Sequence, residues 1–443
     1  MGEAARQLPL ETELHIVERP VIEMALSDVV YREDLYPRIK PDTATIQRYA
    51  DNIENLPPIE VNQHNILIDG FHRWTAHRKA EAKTIKAIVT ATASENELFY
   101  LACRRNSHHG LQASEQDKKS SAIRLYAGGT GYSKDEIAAA LSVTLRSVNN
   151  YLGDVDRQLR EERKQRIFDM WLSCHTLEEI ANTVSVEKMT VSRQVEECNN
   201  LEALPNSYKV NAQFQDESFT PPLYNVWTFA KKTNGTVHFG NSEQRIVENL
   251  LYLYTEPFDI VLDPFAGGGA TIDVCQRRLR RYWVSDRKPI VEREKDIRQL
   301  DIAADLPPLN KRWSDVTLTY LDPPYWKQAE GQYSNDAEDL ANMPLGQFTE
   351  TLTGIVNRIA AKQSRGVIAL LIQPTQWKAD GRRFTDHVMH LISGVSSKRL
   401  TLENRVSCPY STEQCTPQQV EWAKANKQLL VISRELIVWR VND

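Results

Sequence analysis

The stretch that decides the fold of this chain is Ile260-Val261-Leu262-Asp263-Pro264-Phe265-Ala266-Gly267-Gly268-Gly269-Ala270-Thr271. An apolar run, an acid, a glycine-rich turn and a small-residue helix start read as strand, loop and helix in succession. Glycine lets backbone approach a ligand where a Cβ would clash, and a helix start offers free N–H groups. The G-x-G-x-x-G spacing of a dinucleotide site breaks at Ile272, which disfavours a pyrophosphate. Twenty-three residues after Asp263, Asp286 ends the run Tyr282 to Asp286, where a carboxylate can accept from two ribose hydroxyls. Together they describe a nucleoside ligand, with S-adenosylmethionine the better candidate. A purely structural glycine turn is the competing reading.

Outward from this turn, apolar runs at Val316 to Leu321 and Val367 to Ile372 alternate with helical segments, the pattern of a doubly wound parallel sheet. Leu429 to Ser433 and Glu435 to Val441 read as a closing antiparallel pair. Asp322-Pro323-Pro324-Tyr325 follows the Val316 to Leu321 strand, at the carboxyl edge where open α/β sheets bind ligands. The exocyclic amine of a base is a weak nucleophile because its lone pair is delocalised into the ring. Asp322 and the Pro323 carbonyl, accepting its two hydrogens, would free that lone pair for attack on a methyl group. The two prolines would hold the acceptors rigid, and Tyr325 would stack on a base swung out of the duplex.

These two motifs, in this order, resemble those of the amino-group DNA methyltransferases that make N6-methyladenine or N4-methylcytosine. The resemblance covers residues 224–443, taken as a Rossmann-like domain that uses S-adenosylmethionine. It implies that Asp322, Pro323, Pro324 and Tyr325 are catalytic, and that Asp263, Phe265, Gly267, Gly269 and Asp286 surround the cofactor. It further assigns Asn241, in the segment His238 to Asn249, to the methionine end of the cofactor, and Asp301 to its adenine, although Leu300 stands where a glycine is usual. Asp322 rather than Ser is the form associated with adenine. Target recognition is expected after Tyr325, at Asn342 to Arg365 and at Trp377 to Arg383, where Lys378, Arg382 and Arg383 would meet phosphate. A solvated loop is the alternative.

The front of the chain, 14–110, reads as a small α+β unit: a strand Glu60 to Asn62 after Pro57-Pro58, Ile66 to Ile68, a helix Phe71 to Ala82, and a returning strand Ile85 to Thr90. Ile68-Asp69-Gly70-Phe71-His72-Arg73-Trp74-Thr75-Ala76 is similar to the G-x-x-R-x-x-A signature of the ParB and sulfiredoxin-like fold, and Asn106 to Leu111 to its next element. That resemblance implies a nucleoside triphosphate near Gly70, His72, Arg73 and Asn106, with His108 and His109 where an arginine is expected. A scaffold that positions DNA is the other reading.

Between these parts, 111–200 contains a repeat. Ser133, Glu136, Ile137, Ala138, Leu141, Ser142, Val143 and Val148 recur 43 residues later as Thr176, Glu179, Ile180, Ala181, Val184, Ser185, Val186 and Val191. Each copy opens on a capping box and outlines a helix-turn-helix, with second helices near Leu145 to Leu152 and Met189 to Val195. Two hairpins used only for packing are the alternative. Residues 201–223, polar and proline-containing, read as a linker.

The expectation is therefore a multidomain chain of 443 residues: an α+β domain, a tandem helical region and an α/β methyltransferase domain. Six cysteines without a CxxC pair argue against a zinc ribbon or disulfide framework, and no histidine cluster has metal-ligand spacing. The net charge of −5 and mean hydropathy of −0.48 fit a globular protein and give no sign of a polybasic nucleic-acid binder. Double-stranded DNA enters as a partner only through the motifs, with Arg277 to Arg281 as a local basic stretch. No membrane partner or secretory signal is expected, a homodimer is left open, and the location reads as the cytoplasm of a bacterium, phage- or plasmid-borne. Adenine N6 transfer leads. N4-cytosine transfer, or a ParB-like regulator with an inactive methyltransferase domain, are the competing functions.

Overall fold

A computed structural model describes residues 20–37, 42–108, 114–127, 131–229, 243–332, 334–376, 384–410 and 415–442. The chain divides into two compact units, Met1–Glu162 and Arg163–Asp443. The division falls inside the helix Leu145–Leu172. No helix among the described residues is long and apolar enough to cross a membrane.

In the first unit, β1 (Val21–Ala25), β2 (Ile59–Val61), β3 (Leu67–Asp69) and β4 (Thr84–Val89) form one sheet in the order β1-β4-β2-β3. Alternation along β4 turns Ile85 and Ala87 inward against Ile59, Val61, Leu67 and Trp74, as a period of two requires. The helix after Gly70 spans Phe71–Lys79 and stops short of the expected Ala82, because Glu81 takes a left-handed φ of 56°.

The repeat is visible bond by bond. Ser133 and Thr176 each receive the Glu136 or Glu179 N–H at 3.2 Å, and each glutamate accepts the cap N–H at 2.7 Å. Ser142 and Ser185 end the first helices at φ of 51° and 54°. The second helices differ: Lys188–Cys198 is short, whereas Leu145–Leu172 runs 28 residues, far past Leu152, since nothing beyond that point breaks it.

The copies also serve separate cores, so 111–200 is not one region. Ile137 and Val148 pack with Phe99, Leu125 and Leu152 in the first unit. Ile180 and Val191 join the large cluster of the second. Arg281, Arg298 and Arg312 donate to the carbonyls of Trp171, Ser173 and Cys174 at 3.4, 2.7 and 2.5 Å. Cations at the carbonyls of a helix's carboxyl end oppose the negative end of its dipole.

The second unit is built on β5 (Ile260–Asp263), β6 (Arg281–Asp286), β7 (Arg298–Gln299), β8 (Val316–Leu321), β9 (Val367–Ile372), β10 (Leu400–Ser407) and β11 (Glu435–Val441). Their order is β10-β11-β9-β8-β5-β6-β7. The strands from β9 to β7 are parallel, and β11 and β10 antiparallel. Both faces are covered: Val367, Ala369 and Leu371 of β9 enter one apolar cluster, and Ile368, Leu370 and Ile372 the other. Each of the Val, Leu and Ile side chains contributes about 1.5–3 kcal/mol by leaving water.

Several expectations change here. Residues 429–433 form no strand; β11 pairs with β9 and with β10, a strand whose exposed, polar residues hid it. Residues 201–223 are no free linker. They include the helix Asn206–Ala212, bury Ala212 and Phe219, and are gripped by Arg278, which donates to Asn211 O at 2.9 Å and pairs with Asp216. Arg278 and Arg280 are accordingly 1% and 2% exposed, so the Arg277 to Arg281 run is mostly interior. Asn342 to Arg365 is chiefly the helix Leu345–Ala360, whose Phe348, Leu352, Ile355, Val356 and Ile359 are buried as the β8 to β9 crossover. It packs rather than projects.

Candidate functional site

Strand order reverses between β5 and β8, the place where an open α/β sheet leaves a crevice at its carboxyl edge. Asp263 is the last residue of β5, and Asp322 follows the last residue of β8. The fold thus brings the glycine-rich turn and the Asp-Pro-Pro-Tyr turn to the two sides of one crevice. Phe265, Tyr325 and Trp326 are half-buried against a common apolar cluster.

Asp263 organises the turn. It is 2% exposed, accepts the Phe265 N–H at 2.9 Å through Oδ1, and accepts the Thr271 hydroxyl at 2.5 Å through Oδ2. Burial pushes its carboxyl up to about 7, against those two bonds and with the charges of Asp322 and Asp286 adding to the rise. Both oxygens are engaged inside the turn, so Asp263 shapes the cradle from behind.

Gly267 and Gly269 take φ of 49° and 84°, a region that favours glycine. A Cβ on Gly267 would meet nothing nearer than the Phe265 carbonyl at 4.0 Å, so the space beside this backbone is open. Gly269 caps the helix Ala270–Arg277. Across the crevice floor, Asp286 accepts the Gly267 N–H at 3.0 Å and the Lys288 N–H at 3.0 Å. Asp301 is ion-paired to Arg287 at 3.4 Å and accepts the Ala303 N–H at 2.9 Å. Asn241 lies outside the described residues, as do Trp377, Lys378, Arg382 and Arg383.

On the β8 side, Asp322 Oδ1 accepts the Tyr325 hydroxyl at 3.0 Å and Oδ2 the Tyr320 hydroxyl at 3.3 Å. Pro323 is buried and Pro324 partly so. Burial, with Asp322 alongside, holds the Tyr325 phenol well above its ordinary value. The turn after Tyr325 is fastened by Trp326 Nε1 donating to Met343 O at 2.9 Å and by the Thr375 hydroxyl donating to Trp326 O at 2.7 Å. Sequence reasoning gave no role to Tyr320 on β8, whose hydroxyl bonds Asp322, nor to Arg434, which pairs with Glu243 of the His238 to Asn249 segment and lies over the Tyr410 ring.

In the first unit the expected nucleotide contacts are engaged internally. Arg73 pairs with Asp69 at 2.7 Å, and His72 Nε2 accepts the Asp42 N–H at 3.0 Å. Asn106 accepts from the Tyr36 hydroxyl at 3.1 Å and donates to Ala102 O at 2.8 Å. Gly70 has a packing reason as well, since a Cβ there would lie 2.7 Å from Ile59 Cγ2. His109 lies outside the described residues. Among the described residues no group of three His, Cys, Asp or Glu side chains could hold a metal ion.

A DNA methylase family model matches residues 94–292, a span that contains the glycine-rich turn and Asp286 and ends before Asp322. The transcriptional regulator NovG of Streptomyces niveus is 29% identical over 130 residues, 28% of this chain and 41% of NovG, so the chain spans well under half of that relative. Chromosome-partitioning protein ParB of Caulobacter crescentus, solved with the centromeric parS site, matches at 12% identity and a TM-score of 0.24 over 40% of this chain and 99% of its own. A TehB-like SAM-dependent methyltransferase of Corynebacterium glutamicum matches at 14% identity and a TM-score of 0.26 over 44% of this chain and 87% of its own. The family match runs through the glycine-rich turn and its partner acid, Asp286.

Proposed function

We propose that this protein methylates the exocyclic N6 of adenine in double-stranded DNA with S-adenosylmethionine. The observation that carries the reading is the placement of Asp286 with the glycine turn, and of Asp322 with Tyr325, on either side of the β5/β8 reversal. The residues present fit the cofactor: an open backbone at Gly267, a helix start at Ala270, and a partly exposed acid at Asp286 to take ribose hydroxyls. When bound, the cofactor supplies an electrophilic methyl group.

The chain's own residues prepare the amine. Asp322 accepts from two tyrosine hydroxyls, and a carboxylate, with about four lone-pair sites, can take an amine hydrogen as well. The Pro323 carbonyl accepts the second hydrogen, and the Tyr325 ring stacks on the extruded base. Asp322 favours adenine over the N4 of cytosine by resemblance alone. For the first unit and its helix pair, the assignment is to hold duplex DNA. A nucleoside triphosphate at Gly70 to Arg73, with Asn106 nearby, would require Arg73 to leave Asp69.

Incubation with methyl-labelled cofactor and unmethylated genomic DNA, then digestion to nucleosides, should yield labelled N6-methyl-2′-deoxyadenosine. Labelled N4-methylcytosine would move the assignment to the other base. Absence of label in any base would overturn it.

A further inference from the structure

The apolar run Leu429 to Ile432 forms no strand, yet it lies at the catalytic edge of the sheet. β11 runs antiparallel to β9 with Glu435 opposite Ile372, so the chain just before Glu435 lies beyond the carboxyl end of β9. β9 is the parallel neighbour of β8, which Asp322 follows.

Side chains that follow β9 pin this segment. Buried Gln376 donates through Nε2 to Leu429 O at 2.7 Å and accepts the Val431 N–H through Oε1 at 3.0 Å. The Tyr410 N–H donates to Ile432 O at 2.8 Å. Next to Gln376, the Thr375 hydroxyl donates to Trp326 O at 2.7 Å, and Gln328 Nε2 donates to Pro374 O at 3.0 Å. Residues 374–376 thus hold both the turn that follows Tyr325 and the backbone of Leu429.

Leu430, Val431 and Ile432 are half-buried, whereas Leu429 is 88% exposed. A leucine on a surface is ordinary, but one whose backbone is held by a buried amide is ordered without being covered. The helix Pro417–Asn426 ends just before it at Lys427, with φ of 53°, and Lys427 and Gln428 are exposed. An apolar tip beside a cation suits a duplex, whose phosphates meet the lysine while the apolar side chain enters between base steps.

We propose that Leu429 is the wedge that enters the duplex and fills the space the target base leaves when it swings out to Tyr325. Extrusion breaks stacking and pairing, and an apolar side chain in the gap offsets part of that cost and hinders the base from returning. The hydrogen bonds through 374–376 fix the wedge relative to the turn after Tyr325. This rests on the methyl-transfer reading above.

Mapping the position that the wild-type protein methylates in genomic DNA defines a synthetic duplex with one site. On it, Leu429→Ala should slow single-turnover methyl transfer about tenfold. With the target base placed opposite an abasic position, pairing is already lost and the deficit should shrink to about twofold. Leu429→Met, still apolar and long, should keep most of the rate on both duplexes. Thermal midpoint and cofactor affinity should match wild type in both variants, since the side chain is hardly covered. A wild-type rate for Leu429→Ala on the paired duplex, an equal loss on both duplexes, or a changed oligomeric state would overturn the wedge while leaving methyl transfer standing. A wild-type protein that methylates no base in genomic DNA would overturn both.

Discussion

The Gly267 backbone N–H donates to the Asp286 carboxylate, with nitrogen and Oδ2 3.0 Å apart. The acid that ends β6 therefore closes the turn that follows β5, and one side chain both shapes the cradle and faces it.

Asp286→Ala removes that bond together with the acceptor for ribose hydroxyls. Charge-assisted hydrogen bonds contribute about 1.5–3 kcal/mol each, so cofactor affinity should weaken roughly 10- to 100-fold. Calorimetric titration with S-adenosylhomocysteine measures this, and an unchanged Kd would exclude Asp286 from the cofactor site.

Asp322→Ala should behave in the opposite way. Asp322 follows β8 and accepts from the Tyr320 and Tyr325 hydroxyls, whereas the glycine turn follows β5. Methyl transfer should drop by about three orders of magnitude or more, as expected when an acceptor that acts at the reacting atom is lost. Cofactor affinity should hold within a few-fold, read from the same titration.

Asp263 makes stability depend on pH in an unusual direction for an acid. Burial raises its folded-state value to about 7, above that of the unfolded chain, so the neutral form favours the fold. Its contribution is full below about 4, and it is lost as pH climbs through about 7. Asp263→Asn keeps an acceptor for the Phe265 N–H and a donor for the Thr271 oxygen but cannot ionise. The melting-temperature difference, wild type minus variant, should shrink between pH 5 and 8. A difference that stays flat or grows would contradict it.

Arg278→Met should unfasten residues 206–219. Arg278 binds Glu248 at 2.7 Å, pairs with Asp216 and lies 4.4 Å from the centre of the Phe214 ring. It pulls Asp216 down to about 2, principally through their hydrogen bond. Removing one member of a buried ionic cluster costs about 3–5 kcal/mol because the others remain buried and uncompensated. Limited proteolysis should cut near 206–219 in the variant before wild type is touched. Equal resistance would show that the arginine does not hold this segment.

The strands that read cleanly, β5, β6, β8 and β9, are those buried on both faces, where continuous apolar runs leave little ambiguity. Both motifs and their meeting at one sheet edge were legible because each lies within ten residues of a strand end. β10 was not, since Leu400 to Ser407 is half-exposed and polar. Residues 201–223 looked like a linker because composition does not reveal that Phe214 and Phe219 will lie under the Arg278 guanidinium. The same blindness made Arg277 to Arg281 look like a surface charge. The buried pair of Glu243 and Arg434 spans 191 residues; Glu243 lies in the segment His238 to Asn249, but no local pattern marks Arg434 as its partner.

β11 (Glu435–Val441) lies between β9 and β10, hydrogen-bonded to both. The outer side of β9, the strand next to β8, therefore stays unpaired while the ribosome is still adding the following residues. At roughly 5–20 residues per second, several seconds separate synthesis of the Asp-Pro-Pro-Tyr turn from arrival of the strand that fills the gap. Nascent chains stopped before residue 435 would carry both motifs and an open seam. Arg434 would reach Glu243 and the Tyr410 ring only as that seam closes, so this buried ion pair would be among the last contacts the domain makes.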